Sequence, residues 1–476
     1  MAITSVGEPA AEVMTTTDLG RRLAESTAGV RFEDLPAPAV DAAKKTILDT
    51  LGVILAASGT EPAARPVIDL VRENGGRPES SVVGFGFRAP ATSAAFANGA
   101  LAHCLNFDDQ TPWGQHSATS LIPAVLAVAE RQGGVRGRDL IAAVAAGQDI
   151  FTRLRRHVGW LQDWNLATVL GVFSATAAAG RLLHLSPTQM SNALSIASLQ
   201  SSGFGEVVTG LGSQLGGIYA AFPARGAVTA ALLAEKGTVG VETLFEGRVG
   251  FLATYFAGRY DREAILAGLG RDFQGATTLY KPWPAIGTAH SHIHATIRAV
   301  VENDLDVEEI EELRVHAGDC HEILCTPPEA RRAPANLLDA RFSLPFLVAV
   351  AAVRRGLRVS DLTGSALSDP RVLALARKVV TVRDPALDWK SELPNGRVVI
   401  RMRDGRRFDR TGTDVPGSAR APMTWDDLAR KFADCAAAAA VPVPEGNVRA
   451  AVGMGRRLES VDDAVDLVRL LTDSGT

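Results

Sequence analysis

NGALAHCLNFDDQTPWGQHSATSLIP, residues 98–123, splits the first half of the chain into helix, loop and helix. The small residues that run into it, ATSAAFANGALAHCL, read as a helix suited to close burial, and LIPAVLAVAERQGG beyond it begins a second apolar helix. Between the two the helical spacing fails, and Asp108, Asp109, Pro112 and Gly114 mark a loop. The stretch also holds His103 and His116, two of the chain's nine histidines. Titratable groups between buried helices are costly unless they are paired or used. Two readings stay open from these residues: the carboxylates cap the next helix, or they serve chemistry.

Outward from this stretch, alanine-rich helical patterns run from Asp18 to about Gly258. FEDLPAPAVDAAKKTILDTLGVILAAS enters its helix past Pro36 and Pro38, and DLIAAVAAGQDIFTRLRRH, ATVLGVFSATAAAGRLLH and RGAVTAALLAEKG all space apolar residues for helices. After Tyr280 the character changes. IEELRVHAGD and ARKVVTVRD suit strands, and GRVVIRMRDGRRFDRTGT suits a hairpin turning at Asp404-Gly405. FSLPFLVAVAAVRRG and DLTGSALSDPRVLALARKV read as helices between them. From MTWDDLARKFADCAA the pattern is helical again, with Thr424 as N-cap and ESVDDAVDLVRLLTD as a last helix. The expected fold is mainly α: a large all-helical domain (first part residues 15–274), a smaller α+β lid domain (275–410), and a segment (411–476) that returns to the helices. Residues before about Thr15 read as disordered.

Composition narrows the function classes. The chain of 476 residues is 46% apolar and 21% charged, and its net charge of −4 gives no electrostatic case for nucleic acid or an anionic membrane surface. No apolar run reaches the ~20 residues of a membrane span, and the N-terminus lacks an export signal. Cys104, Cys320, Cys325 and Cys435 have neither zinc nor disulfide spacing. A reduced, cytoplasmic protein is expected. GFGFR and GSQLGG are glycine-rich without a dinucleotide fingerprint.

Six segments in order then resemble the MmgE/PrpD family, which includes 2-methylcitrate dehydratases, cis-aconitate decarboxylases and iminodisuccinate epimerases. They are LPAPAVDAAKKTILDTLGV, NGALAHCLNFDD with QHSATSLIPAVLA, ARGAVTAALLAEKGTVG, LYKPWPAIGTAHSHIHA, LDARFSLPFLVAVA and MRDGRRFDRTGTDVPGSARAPMTWDDLARKF. The resemblance implies a helical domain, an α+β domain covering the site, a homodimer, and no metal or organic cofactor. It also shows departures. Asn106 stands where tricarboxylate-acting members carry a carboxylate, Asn165 and Tyr219 where they carry histidines, and Gly216 where they carry a lysine. No lysine occurs between Lys45 and Lys236. Losing that charge weakens capture of a polyanion.

The candidate chemistry follows. His116 occupies the position that resembles the family's catalytic histidine, and an imidazole is suited to removing a proton next to a carboxylate. Asp108 or Asp109 orients it. His103 is a second acid/base group or a satisfied helix histidine. Lys281 is a candidate for binding a carboxylate or an enolate-like intermediate, or a surface lysine at the domain hinge. Asn106, Asp108, Gln110, Trp113, Asn165, Tyr219, His290 and Arg341 are candidate substrate-binding residues, Arg341 alternatively pairing with a structural carboxylate such as Asp339. His290, His292 and His294 form a cluster that lacks the glutamate of a zinc-helix motif. Cys320, beside His321, is not expected to be a thiolate nucleophile.

The expected function is a cofactor-independent lyase, dehydratase or decarboxylase, acting on a small to medium organic acid with His116 as base. An isomerase or epimerase using the same base is the alternative. A metal-dependent hydrolase built on His103, Asp108, Asp109 and His116, and a non-catalytic binding protein, rank lower.

Overall fold

The computed structural model describes residues 17–389 and 395–472; the N-terminal segment expected to be disordered lies outside them. Asp18 caps the first helix, Leu19–Gly29, by accepting from the Gly20 amide. The helix Ala37–Thr60 starts where Pro36 and Pro38 demand it, since proline fixes φ and needs no donor partner in a first turn. Its Ile47, Leu51, Ile54 and Leu55 are fully buried. Around it lie Ala91–His103, Ala118–Gln132, Gly137–His157, Gly171–Leu182 and Ala221–Glu235, sharing one apolar core. Small residues allow the close approach. A Cβ on Gly147 would stand 2.9 Å from the Ser174 carbonyl, and the Ser174 hydroxyl donates to the Gly147 carbonyl at 2.9 Å.

The helical run is less continuous than the sequence suggests. ATVLGVFSATAAAGRLLH divides at Leu170 into Leu166–Val169 and Gly171–Leu182. Residues 158–165 and 201–205 are largely irregular, and both segments reach the cavity described below. SSVVGFGFRA forms a two-stranded hairpin, β1 (Ser80–Val82) with β2 (Phe87–Ala89), and Gly84 and Gly86 take φ of +81° and +66° in its turn. Those glycines answer a turn requirement.

A second core collects residues from Ala285 to Met402. Its sheet runs β4 (Val379–Arg383), β3 (Ile310–Ala317), β5 (Arg397–Met402), β6 (Arg407–Thr411), with β3 parallel to β4 and the other pairs antiparallel. β3 is central, with Ile310, Leu313, Val315 and Ala317 turned into the core by the two-residue period. Gly405 takes φ +88° in the expected β5–β6 turn. The helices His290–Glu302 and Leu344–Arg354 supply much of the remaining core. Of the expected DLTGSALSDPRVLALARKV helix, only Pro370–Arg377 is α-helical, because Asp369 caps it there and Pro370 opens it.

The chain then returns to the first core. Thr424 and Asp427 form a reciprocal cap for Trp425–Ala437, whose Leu428, Phe432 and Cys435 are buried against the opening helices. Among the described residues one stretch, Leu215–Glu235, is apolar and long enough to cross a membrane, but its apolar window is 67% buried inside the fold.

Candidate active site

The loop after His103 is fastened by three buried cations drawn from distant segments. Arg341 donates to the Cys104 carbonyl at 2.9 Å, Lys281 to the Asn106 carbonyl at 2.9 Å, and Lys431 to the Phe107 carbonyl at 2.7 Å. Each cation also has an acid. Arg341 pairs with Glu61, Lys431 lies 2.7 Å from Asp49, and Lys281 lies 3.8 Å from Asp108. Burial lowers the Lys281 ammonium from its usual range, and Asp108 opposes that shift. Asn106 sits at φ +50°, a conformation that asparagine tolerates better than most residues. Charge-assisted bonds to these three carbonyls hold the loop in that shape.

Within this frame His103 and His116 meet at one carboxylate oxygen. Asp108 Oδ2 is 2.7 Å from His116 Nδ1 and 3.2 Å from His103 Nδ1, and the two rings are 4.8 Å apart between centroids. His116 Nδ1 also faces the Asp109 carbonyl at 2.5 Å. Both of its neighbours are acceptors, so in the neutral ring Nδ1 carries the proton and Nε2 keeps its lone pair. Burial works against ionisation of Asp108, yet His116, Lys281 and His103 together hold its carboxyl well below the usual range. Burial pushes the His103 imidazole down to about 4, against the pull of Asp108.

Asp109 faces the other way. Its two carboxylate oxygens accept from the Ser117 hydroxyl at 2.7 Å and the Ala118 amide at 3.1 Å, at the start of Ala118–Gln132. Burial and the adjacent Asp108 raise its carboxyl. Asp109 thus caps the following helix, and Asp108 is the carboxylate that faces the two imidazoles. The four-ligand metal site is therefore not assembled: His103, Asp108 and His116 have donor atoms within 4.8 Å of one another, and Asp109 is turned to the helix.

The imidazoles open onto a cavity of about 430 Å³ between the helical core and the α+β unit. Asn106, Gln110, Trp113, Asn165 and Tyr219, all anticipated from sequence, line it. The Tyr219 ring packs tilted against His103 at 4.4 Å between centroids, and burial and the nearby Asp108 push its phenol well above the usual range. Asn165 caps Leu166–Val169 through its side-chain oxygen. The Nδ2 group of Asn106 is buried without a partner, a donor at the cavity wall, and the Asn165 side chain bonds to the Tyr219 phenol. Gly114, at φ +76°, lets Trp389 of the α+β unit close over the loop; a Cβ there would lie 2.4 Å from that ring. Cys320 lines the cavity too, but burial and Asp319 push its thiol up to about 12, so it is not a thiolate.

Three anticipated residues lie elsewhere. His290 lines a neighbouring cavity, bonds to the Ala285 carbonyl at 3.1 Å, and is pushed down to about 3 by burial. With His294 it flanks the Trp283 ring, so the histidine cluster packs rather than converges on a ligand. Arg341 takes Glu61 as its partner and not Asp339, which instead accepts from Asn336 and Gly212. Lys281 is buried beneath the loop, neither at a surface hinge nor on the wall of the imidazole cavity. Several lining residues escaped the sequence reading, among them Trp389, Asp319 and Arg155, the last at the end of Gly137–His157.

A mainly helical fold with a small α+β unit closing over paired imidazoles is the frame in which the comparisons fall. The MmgE/PrpD N-terminal domain model matches residues 21–263 and the C-terminal domain model residues 283–452. The chain belongs to the MmgE/PrpD family. It is 26% identical over 430 residues to a cis-aconitate decarboxylase-like protein, oryM, of Aspergillus oryzae, covering 84% of this chain and 86% of that one. It is 25% identical over 468 residues to the cis-aconitate decarboxylase of Homo sapiens (93% and 92%) and 24% identical over 422 residues to the 2-methylcitrate dehydratase of Cupriavidus necator (81% and 83%). These relatives are lyases, and this chain is an enzyme of their family.

Proposed function

We propose that the chain is a cofactor-independent lyase that removes a proton next to the carboxylate or carbonyl group of an organic acid. The observation that carries this reading is the bracketing of His116 Nδ1 by Asp108 and the Asp109 carbonyl, which leaves Nε2 as a base at the cavity. Asp108 fixes the tautomer and stabilises the imidazolium that forms. The unpartnered amide of Asn106 supplies a donor to the oxyanion as charge moves onto the substrate. In a dehydration the captured proton leaves with the hydroxyl as water. In a decarboxylation the same histidine returns a proton to the carbon that has lost carbon dioxide.

The test is His116→Gln against a panel of hydroxy and unsaturated acids followed by mass spectrometry. Turnover falls roughly 10²–10⁴-fold, the usual scale for a lost general base, while circular dichroism stays unchanged. Retention of most activity removes His116 from the mechanism. Chelator is included in a parallel series, since metal-dependent hydrolysis predicts that it abolishes activity.

A second outcome is supported by one specific contact. His103 lies beside His116 on the same carboxylate and packs against the Tyr219 ring. Two acid/base groups at one substrate carbon would permit epimerisation. Solvent deuterium entering recovered substrate without elimination marks that route. We further propose a cytoplasmic homodimer. The cysteines Cys104, Cys320, Cys325 and Cys435 are all unpaired. Leu199, Phe204, Leu215 and Phe222 are exposed within one stretch of chain, and Phe204 stacks on Trp164 of the cavity wall.

A further inference from the structure

The cavity's charge inventory is sparse. Among the described residues, and besides the two imidazoles, its wall carries one strong cation, Arg155, and one carboxylate, Asp319. Lys281 and Lys431 do not line it. Asp319 belongs to the α+β unit and accepts from the Trp389 amide at 3.2 Å.

Arg155, partly buried at the cavity wall, is held differently from Arg153 and Arg341. Arg153, two residues earlier, pairs with Asp149 at 2.7 Å and donates to four backbone carbonyls, and Arg341 pairs with Glu61. Arg155 donates to the Trp113 carbonyl and lies 4.9 Å over the Trp160 ring, and its Nε is buried with no partner. Among the described residues no carboxylate is paired with it. Burial alone lowers its guanidinium to about 10. A largely buried cation without an acid is destabilising in the empty protein and becomes favourable once an anion reaches it.

The surroundings state what else the ligand carries. Trp113, Trp160, Trp164 and Trp389 bound the cavity, and Ile286 and Phe342 add to its apolar wall. Flat aromatic walls around one fixed cation recognise an amphiphile, a single carboxylate on an apolar or aromatic body. Two or three carboxylates would leave the remainder facing indoles and amides, with Asp319 adding repulsion.

We propose that Arg155 is the substrate's carboxylate anchor and that the substrate is a monocarboxylic acid with an apolar or aromatic body lying against Trp113, Trp160 and Trp389. This rests on the reading of this cavity as the site of reaction, but binding can be measured apart from turnover. The wild-type protein is titrated with 3-phenylpropionate, cinnamate, 3-phenylpropionamide and cis-aconitate, with tryptophan fluorescence and melting temperature as readouts, and the series is repeated with Arg155→Gln and Arg155→Lys. The expected result is saturable binding of the phenyl acids, at least tenfold weaker binding of the amide and of cis-aconitate, and at least tenfold weaker binding of the acids to Arg155→Gln. Partial recovery in Arg155→Lys shows that charge, rather than folding, is what was lost. Equal affinity of wild type and Arg155→Gln for the acids overturns the proposal, as does tighter binding of cis-aconitate or failure of both phenyl acids to bind. Arg155-dependent binding with no turnover of any acid leaves the anchor standing and sinks the lyase reading instead.

Discussion

Asp108 and Asp109 are consecutive in the chain and serve different structures: Asp108 holds two imidazoles through one oxygen, and Asp109 seats both oxygens on the first turn of Ala118–Gln132. Neighbouring side chains in an irregular loop need not share a direction. Here the divergence lets one segment fix both the His116 ring and the helix behind it.

Substituting the pair separates these tasks. Asp108→Asn removes the charge that fixes His116, so turnover falls by about the 10⁴-fold known for a triad carboxylate replaced by its amide. Asp109→Ala loses a cap, and stability falls by ~1–2 kcal/mol. Steady-state rates and denaturant melts on both variants check this. A larger rate loss in Asp109→Ala than in Asp108→Asn reverses the assignment.

Lys431 and Asp49 form a buried pair, with side chains 5% and 0% exposed. Removing one partner leaves a buried charge uncompensated, so Lys431→Met costs about 3–5 kcal/mol. The double variant Asp49→Leu/Lys431→Met recovers most of that loss. Urea unfolding of the three proteins measures it, and additive losses would refute the coupling.

His290 is neutral in the folded protein because burial pushes it down to about 3. In the unfolded chain it takes a proton near the usual histidine value, so between those values the unfolded state binds more protons. Its contribution therefore weakens as pH falls from about 7 to 5, by on the order of 2 kcal/mol. His290→Gln removes this dependence. The difference in stability between variant and wild type shifts in the variant's favour at pH 5 relative to pH 7, read from denaturant melts at both values; a pH-independent difference contradicts the assignment.

Gly114→Ala introduces a Cβ at φ +76° that collides with Trp389. Backbone strain costs ~1 kcal/mol, and the displaced indole opens the cavity. The variant is expected to show a raised KM with kcat less affected, together with a lower melting temperature. An unchanged KM would show that Trp389 does not bound the occupied site.

Periodicity made the helices and the sheet legible, because burial on one face imposes a period that composition displays. The hairpin at Asp404-Gly405 and the cap at Thr424 are local, and local rules found them. What stayed hidden depended on tertiary geometry. Arg341 suggested Asp339, but residues two apart on a helix do not face each other, and its acid, Glu61, lies 280 positions away. Arg155 sits in the run RLRRH, which reads as basic residues favouring a helix C-terminus. The same geometry sends Arg153 into the core and Arg155 to the cavity. The loop's carboxylates were visible, but only the start of the following helix distinguished them.

The anchorage of the loop by Lys431 has a consequence for how the enzyme comes into being. The bond from Lys431 to the Phe107 carbonyl spans 324 residues. A nascent chain made only as far as residue 420 already carries His103, Asp108 and His116, yet it lacks the cation beneath Phe107. The loop's final shape thus depends on a helix translated more than 300 residues after it, one that lends the cavity no wall of its own.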